Sequence, residues 1–398
     1  MKKRIFSAVL ALVLVFGVCL SAGASSAQSP LRFDSNGEFK IMHLTDCQDD
    51  YPATETMLKF IDAALKEYQP DIVVLGGDNS VGPDDMPRED KEAAIAELCS
   101  VFVENKTYFT LVFGNHDHQQ GVSDDEQLVW YQQYGGEYCL AYDADPDLTG
   151  TATHALPVLA LDSDKTEFML YMFDSNQYVS VNKFEDEYDS VNPDQIEWYK
   201  ETSKAIEAQE GKKIPALAFQ HIIVGDVYDA LFYESSVDLG SLTPKFNGKT
   251  YSFLPRTNNF TGFLLEFPCP GYYNHGQFDA MVERGDVIGI FSGHDHINTF
   301  ETELDGIRII NTAGATFHSY GKEMTRGMRM ITVKESDTWK FETESVTING
   351  FALDNADFAE DAGIVSVFAV VTESLAKVML ALGEFTGIFA SVLDLIML

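Results

Sequence analysis

Short apolar runs, each followed at once by a polar cluster, recur along the first third of the chain. Gly37–Thr45 carries Phe39, Ile41, Met42 and Leu44 and leads into Asp46-Cys47-Gln48. Asp71–Leu75 leads into Gly76-Gly77-Asp78-Asn79, and Tyr108–Phe113 into Gly114-Asn115-His116-Asp117. Runs of this length with little polar interruption suit strands covered on both faces. Helical stretches lie between them, over Thr54–Tyr68, stopping near Pro70, and over about Glu89–Glu104. Buried strands alternating with helices predict an α/β protein whose layered sheet gathers its functional groups at one strand end.

The pattern continues. Phe168–Phe173 predicts a strand ending in Asp174-Ser175-Asn176, Pro193–Glu207 a helix with Ile196 and Trp198 on its apolar side, and Ile214–Phe219 a strand reaching Gln220-His221. Phe278–Arg284 reads as a helix and Val287–Phe291 as a strand that delivers Ser292-Gly293-His294-Asp295-His296. Strands over Thr299–Glu303, Ile307–Asn311 and Gly327–Val333 close the domain. Gly225–Asn274, rich in Tyr, Phe, Gly and Pro without a clean period, reads as a long insertion over the site. It could select substrates or be an ordinary surface excursion with a few strands.

The strand-end residues Asp46, Gln48, Asp78, Asn115, His116, His221, His294 and His296 need a chemistry, and neither a serine elbow nor a P-loop is present to explain them. Carboxylate oxygen, amide oxygen and imidazole nitrogen together suit first-row divalent metals, and the groups suffice for two ions sharing one carboxylate. Two ions about 3.5 to 4 Å apart can clamp a phosphoryl group, lower the pKa of a bridging water and leave a hydroxide in line for attack. On extended backbone His294 and His296 would face the same side, as ligands or as a cap on the sheet. His221 alone reads equally well as a core histidine. His43 reads as packed, and His118, His154, His275 and His318 carry no strong signal.

Composition narrows the setting. The 398 residues are 45% hydrophobic, enough for a sizeable core. Lys2-Lys3-Arg4, an apolar Ile5–Leu20 and small residues around Ala22-Gly23-Ala24 or Ser25-Ser26-Ala27 read as a cleaved export signal, residues 1–27, although a membrane anchor is the other reading. The protein is therefore expected to be secreted or held at the cell surface. The formal net charge is −35, and the segment 1–27 carries three basic and no acidic residues, so its removal leaves −38. That charge disfavours nucleic acid and anionic membranes, while a local cation cluster could still attract a small phosphate ester. Cys47, Cys99, Cys139 and Cys269 allow three pairings, and the spacing chooses none. Ile364–Leu398 reads as a mostly apolar helix that could lie in a membrane interface, pair with another copy through Gly383-x-x-x-Gly387, or pack on its own domain.

Taken together, Asp46-x-Gln48, Gly77-Asp78, Gly114-Asn115-His116-Asp117, His221 and Gly293-His294-Asp295-His296, in that order within residues 37–312, resemble the calcineurin-like metallophosphoesterase superfamily. The run from Asn274-His275-Gly276-Gln277-Phe278 through Gly285-Asp286-Val287 to Ile297-Asn298 resembles its purple-acid-phosphatase-like branch. The resemblance implies a four-layer αββα sandwich over residues 28–350, followed by a helical C-terminal tail over 351–398. It also implies two divalent ions (Mn, Zn or Fe): Asp46, Asp78 and His296 on the first, Asn115, His221 and His294 on the second, with Asp78 bridging. Gln48 stands where the family usually has a histidine, a weaker donor at the first site. His116 and Asp117 fall at the catalytic positions, His116 as hydrogen-bond donor to phosphoryl oxygens or as the acid for the leaving group. Val81 stands where purple acid phosphatases carry a tyrosine, so a ferric tyrosinate is not expected. The implied activity is hydrolysis of phosphomonoesters or phosphodiesters. The alternative is a surface binding protein that keeps the fold with a weakened metal site.

Overall fold

The computed structural model describes residues 30–364, apart from 84 and 241–242, together with 370–375 and 377–378. The candidate leader 1–27 and the Gly383-x-x-x-Gly387 pair lie outside these residues. The chain begins as two β-α steps and a third strand: β1 (Glu38–Leu44), α1 (Glu55–Tyr68), β2 (Ile72–Gly76), α2 (Arg88–Asn105) and β3 (Tyr108–Val112). Next come α3 (Asp124–Gly135), β4 (His154–Leu159), β5 (Thr166–Met172), the hairpin of β6 (Tyr178–Asn182) and β7 (Glu185–Tyr188), α4 (Pro193–Glu210) and β8 (Ala216–Phe219). The insertion holds α5 (Val227–Leu231), β9 (Phe232–Glu234), β10 (Lys245–Phe246), β11 (Lys249–Pro255) and β12 (Phe260–Thr261). The chain then forms α6 (Gln277–Arg284), β13 (Val287–Ser292), β14 (Glu301–Leu304), β15 (Ile307–Asn311), β16 (Gly327–Lys334), β17 (Asp337–Thr347), α7 (Ile348–Asp354) and α8 (Ala356–Asp361).

Two sheets dominate, one in the order β17-β16-β1-β2-β3 and the other β12-β14-β15-β13-β8-β5-β4. Each has a parallel centre, β1-β2-β3 in the first and β5-β8-β13-β15 in the second. Alternation along the strands explains the layering. Phe39, Ile41, Ile72 and Val74 pack between the sheets against Leu170, Leu217, Phe219 and Phe291. Their neighbours Met42, Leu44, Val73 and Leu75 turn outward under α1, α2 and α3, while Met169, Tyr171, Ala216 and Ile290 turn under α4 and α6. Both faces of every central strand are therefore dry, which is why the strands read as unbroken apolar runs. The result is the expected four-layer αββα sandwich.

α1 shows how local sequence sets an outer layer. Met57, Phe60, Ile61, Ala64 and Leu65 recur at helical spacing and are buried, and Gln69 in left-handed backbone stops the helix before Pro70. α7 and α8 bring Phe351 and Phe358 onto Phe60 of this helix, at ring-centroid distances of 5.6 and 6.0 Å. The start of the predicted tail thus packs on its own domain. Among the described residues, no helix is long and apolar enough to cross a membrane. The four described cysteines are free thiols.

Candidate metal centre

The parallel strands deliver their polar residues at nearly constant offset. Asp46, Asp78, His221 and His294 stand two residues beyond β1, β2, β8 and β13, and Asn115 stands three beyond β3. Because the two sheets face each other with these ends together, residues far apart in the chain meet across the seam. His221 Nε2 lies 3.3 Å from Asp78 Oδ2 and 3.8 Å from Asp46 Oδ1, and His296 Nε2 lies 3.3 Å from Asp46 Oδ1. One donor atom from each of Asp46, Asp78 and His221 falls within 4.8 Å of the others.

Surrounding hydrogen bonds aim these donors. Nδ1 of His221 donates to Gly76 O at 2.8 Å and Nδ1 of His296 to Tyr320 O at 2.9 Å, so each ring presents Nε2 to the carboxylates. Asp46 Oδ2 accepts from Thr45 Oγ1 and from His294 N, at 2.9 and 3.1 Å. Asp78 accepts from His116 N on Oδ1 at 2.8 Å and from Gln48 Nε2 on Oδ2 at 3.0 Å. What remains is a set of buried atoms without a hydrogen-bond partner: Asp46 Oδ1, Gln48 Oε1, Asn115 Oδ1 and His221 Nε2. Leaving such atoms unsatisfied costs on the order of 1–3 kcal/mol each, so their concentration at one place calls for a ligand. All four are electron-pair donors, or become so when the imidazole is neutral, and the set fits divalent cations.

Titration tells the same story. Burial alone would lower the pKa of His221 and His296, yet the carboxylates of Asp78 and Asp46 outweigh it and push them up to about 10 and about 9. Burial tends to raise Asp78, but His221 and His116 hold it well below the usual carboxylate range. His294, with burial and His221 against its charge, is pushed down to about 3 and stays neutral. The pocket demands positive charge.

The backbone is bent to serve this geometry. Asp46, Gln48, Asp78 and His294 adopt φ of 49, 39, 50 and 70°, left-handed values that are strained for side-chain-bearing residues and concentrate at functional sites. Gly77, at φ +92°, cannot be replaced freely, because a Cβ there would stand 2.6 Å from His221 Nδ1.

Of the seven residues predicted to bind metal, Asp46, Asp78, His221, His294 and His296 are joined by these contacts, Gln48 joins them through Asp78, and Asn115 precedes His116, whose N–H donates to Asp78. Gln48 presents its amide nitrogen to Asp78 and keeps its oxygen unpaired. The half-buried His116 receives Gln119 Nε2 on Nδ1 at 2.6 Å. Asp117, expected at a catalytic position, has a carboxylate that accepts from Asn79 N, Ser80 N and Gly114 N at 2.8, 3.2 and 2.8 Å. It braces two strand-end loops. Sequence reasoning missed the aromatic surround. Tyr320 stacks on His296 at 4.2 Å and 5°, and Tyr188 meets His294 edge-on at 4.4 Å. Glu266, from the insertion, accepts from Ile297 N and Tyr320 OH, both at 3.2 Å. No period or spacing marks these residues in the chain. Beside the centre, a cavity of about 640 Å³ is lined by His118, Asp124, Asp174 and Tyr178. A cavity of about 680 Å³ at the β17–α7 edge is lined by none of the predicted site residues.

Residues 39–298 match the family model described as calcineurin-like phosphoesterase. Two relatives from Arabidopsis thaliana, "Probable inactive purple acid phosphatase 14" and "Probable inactive purple acid phosphatase 29", are 26% and 27% identical, covering 81% and 80% of this chain and 82% of each relative. Among solved structures, a dimetal phosphatase from Danio rerio is similar at 14% identity and a TM-score of 0.44, over 77% of this chain and 98% of that one.

Proposed function

Because the chain belongs to the calcineurin-like phosphoesterase family, we propose that it is an exported phosphoesterase that hydrolyses small phosphomonoesters or phosphodiesters with two divalent cations. The meeting of Asp46, Asp78 and His221, with Asp46 Oδ1, Gln48 Oε1, Asn115 Oδ1 and His221 Nε2 buried and unpaired on the strand-end loops, carries this reading. Asp46, Gln48 and His296 would hold one cation, Asn115, His221 and His294 the other, and Asp78 both. Bound there, the cations would supply Lewis acidity toward a phosphoryl group and acidify a water.

The chain's own groups do the rest. Gln119 donates to His116 Nδ1, which leaves the proton of the neutral ring on Nε2, free to be given to a phosphoryl or leaving oxygen. Asp117 fixes the loops that carry Asp78 and Asn115. The net charge of −35 argues for a small ester over a polyanionic substrate, and the basic, then apolar, start of the chain supports export.

Protein purified without added metal should carry two ions per chain and turn over one member of a panel of aryl phosphates, bis-aryl phosphates and nucleotides. Two bound ions with no turnover on that panel would sink the enzyme reading. A binding protein on the same fold is the second reading. It is favoured by the amide at Gln48 and by the word "inactive" in the names of the two plant relatives, and its signature would be protein without tightly held ions.

A further inference from the structure

The two ends of an asparagine amide have nearly the same shape, and a cation takes only the oxygen. At Asn115 a neighbour outside both sheets bears on that choice. Asn115 Nδ2 donates to the Tyr178 hydroxyl oxygen at 3.1 Å, while Oδ1, fully buried, has no partner. Turning the amide over would put its two N–H bonds where an acceptor now points, and a cation there would lose that oxygen.

Tyr178 opens β6, and the hairpin of β6 and β7 pairs with neither large sheet. Its base is pinned at three points. Gln177 Nε2 donates to Asp124 Oδ2 at 2.7 Å, Asp189 N to Gln177 O at 3.1 Å, and Tyr272 N to Tyr188 O at 2.8 Å. Tyr178 and Tyr188 are cross-strand partners whose rings stack at 5.4 Å and 28°. Tyr188 in turn meets His294 edge-on at 4.4 Å. One short hairpin therefore reaches two of the four residues that would hold the second cation, Asn115 by a hydroxyl and His294 by a ring.

We infer that Tyr178 is a positioning residue for the second cation: its hydroxyl accepts from the Asn115 amide and so presents Oδ1 to the ion, making this hairpin the element that sets occupancy of the second site. The inference rests on the two-cation reading of the centre. Without the hydroxyl, the Asn115 NH₂ loses its acceptor and the amide is free to turn over. Outer partners of this kind are worth about 10- to 100-fold in metal affinity.

Tyr178→Phe removes the hydroxyl and keeps the ring on Tyr188. Mn²⁺ titration followed by electron paramagnetic resonance should show the first ion bound as in the wild type and the second weakened by about 10- to 100-fold. The spin-coupled pair spectrum then gives way to an uncoupled mononuclear one. The melting temperature of the ion-free protein should fall by no more than a few degrees, because Tyr178 is exposed and a single hydrogen bond is lost. The decisive arm is Asn115→Asp. A carboxylate offers oxygen at both ends and needs no orienting, so adding Tyr178→Phe in that background should leave second-ion affinity unchanged. Wild-type affinity for both ions in Tyr178→Phe, or an equal loss in the Asn115→Asp background, would overturn the inference. A wild type that takes up fewer than two Mn²⁺ would instead overturn the two-cation reading itself, and this inference with it.

Discussion

Gln48 meets the carboxylate of Asp78 with an amide nitrogen and keeps its own oxygen unpaired. An imidazole at this place would be a stronger donor, so Gln48→His should tighten the first cation by about tenfold or more, read by competition with a chelator. Asp78→Asn should do the reverse: it halves the charge facing His221 and lowers turnover at least about a hundredfold, with loss of bound ions on elemental analysis. A third residue gives a pH test. Burial, helped by Asp174 and Asp117, pushes Asp124 up to about 8 from an ordinary value of 3.8. The folded protein then holds this proton more tightly than the unfolded chain, so the contribution to stability is complete below about pH 4 and is lost as pH rises through about 8. Asp124→Asn, neutral throughout, should melt like the wild type near pH 4 and a few degrees above it at pH 9. The candidate ligands stand out in the chain because each follows an apolar strand. Tyr178 and Tyr320 do not, because their partners Asn115 and His296 lie 63 and 24 residues away with no repeating pattern to connect them.

At the level of elements, the same logic separates what could be read from what could not. β1, β2, β3, β8 and β13 are buried on both faces and announce themselves as apolar runs. β17 is a sheet edge with mostly exposed positions, and no residue of the β6 and β7 strands is fully buried. Neither offers an unbroken apolar run. α3 was missed because its buried Trp130 and Tyr131 sit beside an exposed Val129, which blurs the apolar stripe. The turns after the strands hold left-handed backbone and leave little spare room. Gly77→Ala, placing a methyl 2.6 Å from His221 Nδ1 at a left-handed position, should destabilise the protein by about 1–3 kcal/mol and displace His221. Denaturant melts and metal content measured together would check both effects, and a variant that kept its ions would refute the second.

For the molecule as a whole, a charge of −35 opposes the approach of anionic esters and favours the capture of cations. For a dianionic aryl phosphate, kcat/KM should therefore rise as salt shortens the screening length from about 30 Å at 0.01 M to about 8 Å at 0.15 M, while the apparent affinity for the cations falls. A flat salt profile would mean that the local field of the bound cations governs encounter.

The excursion between Gly225 and Asn274, open in the sequence to a role in choosing substrates, does something else as well. Through Glu266 it reaches behind His296, holding Ile297 N and the Tyr320 hydroxyl while Tyr320 lies flat on the imidazole. If the proposed phosphoesterase had that excursion reshaped to accept new esters, a scaffold strut would be loosened with it. Such variants should also bind cations less tightly, and the two traits would have to be evolved as one.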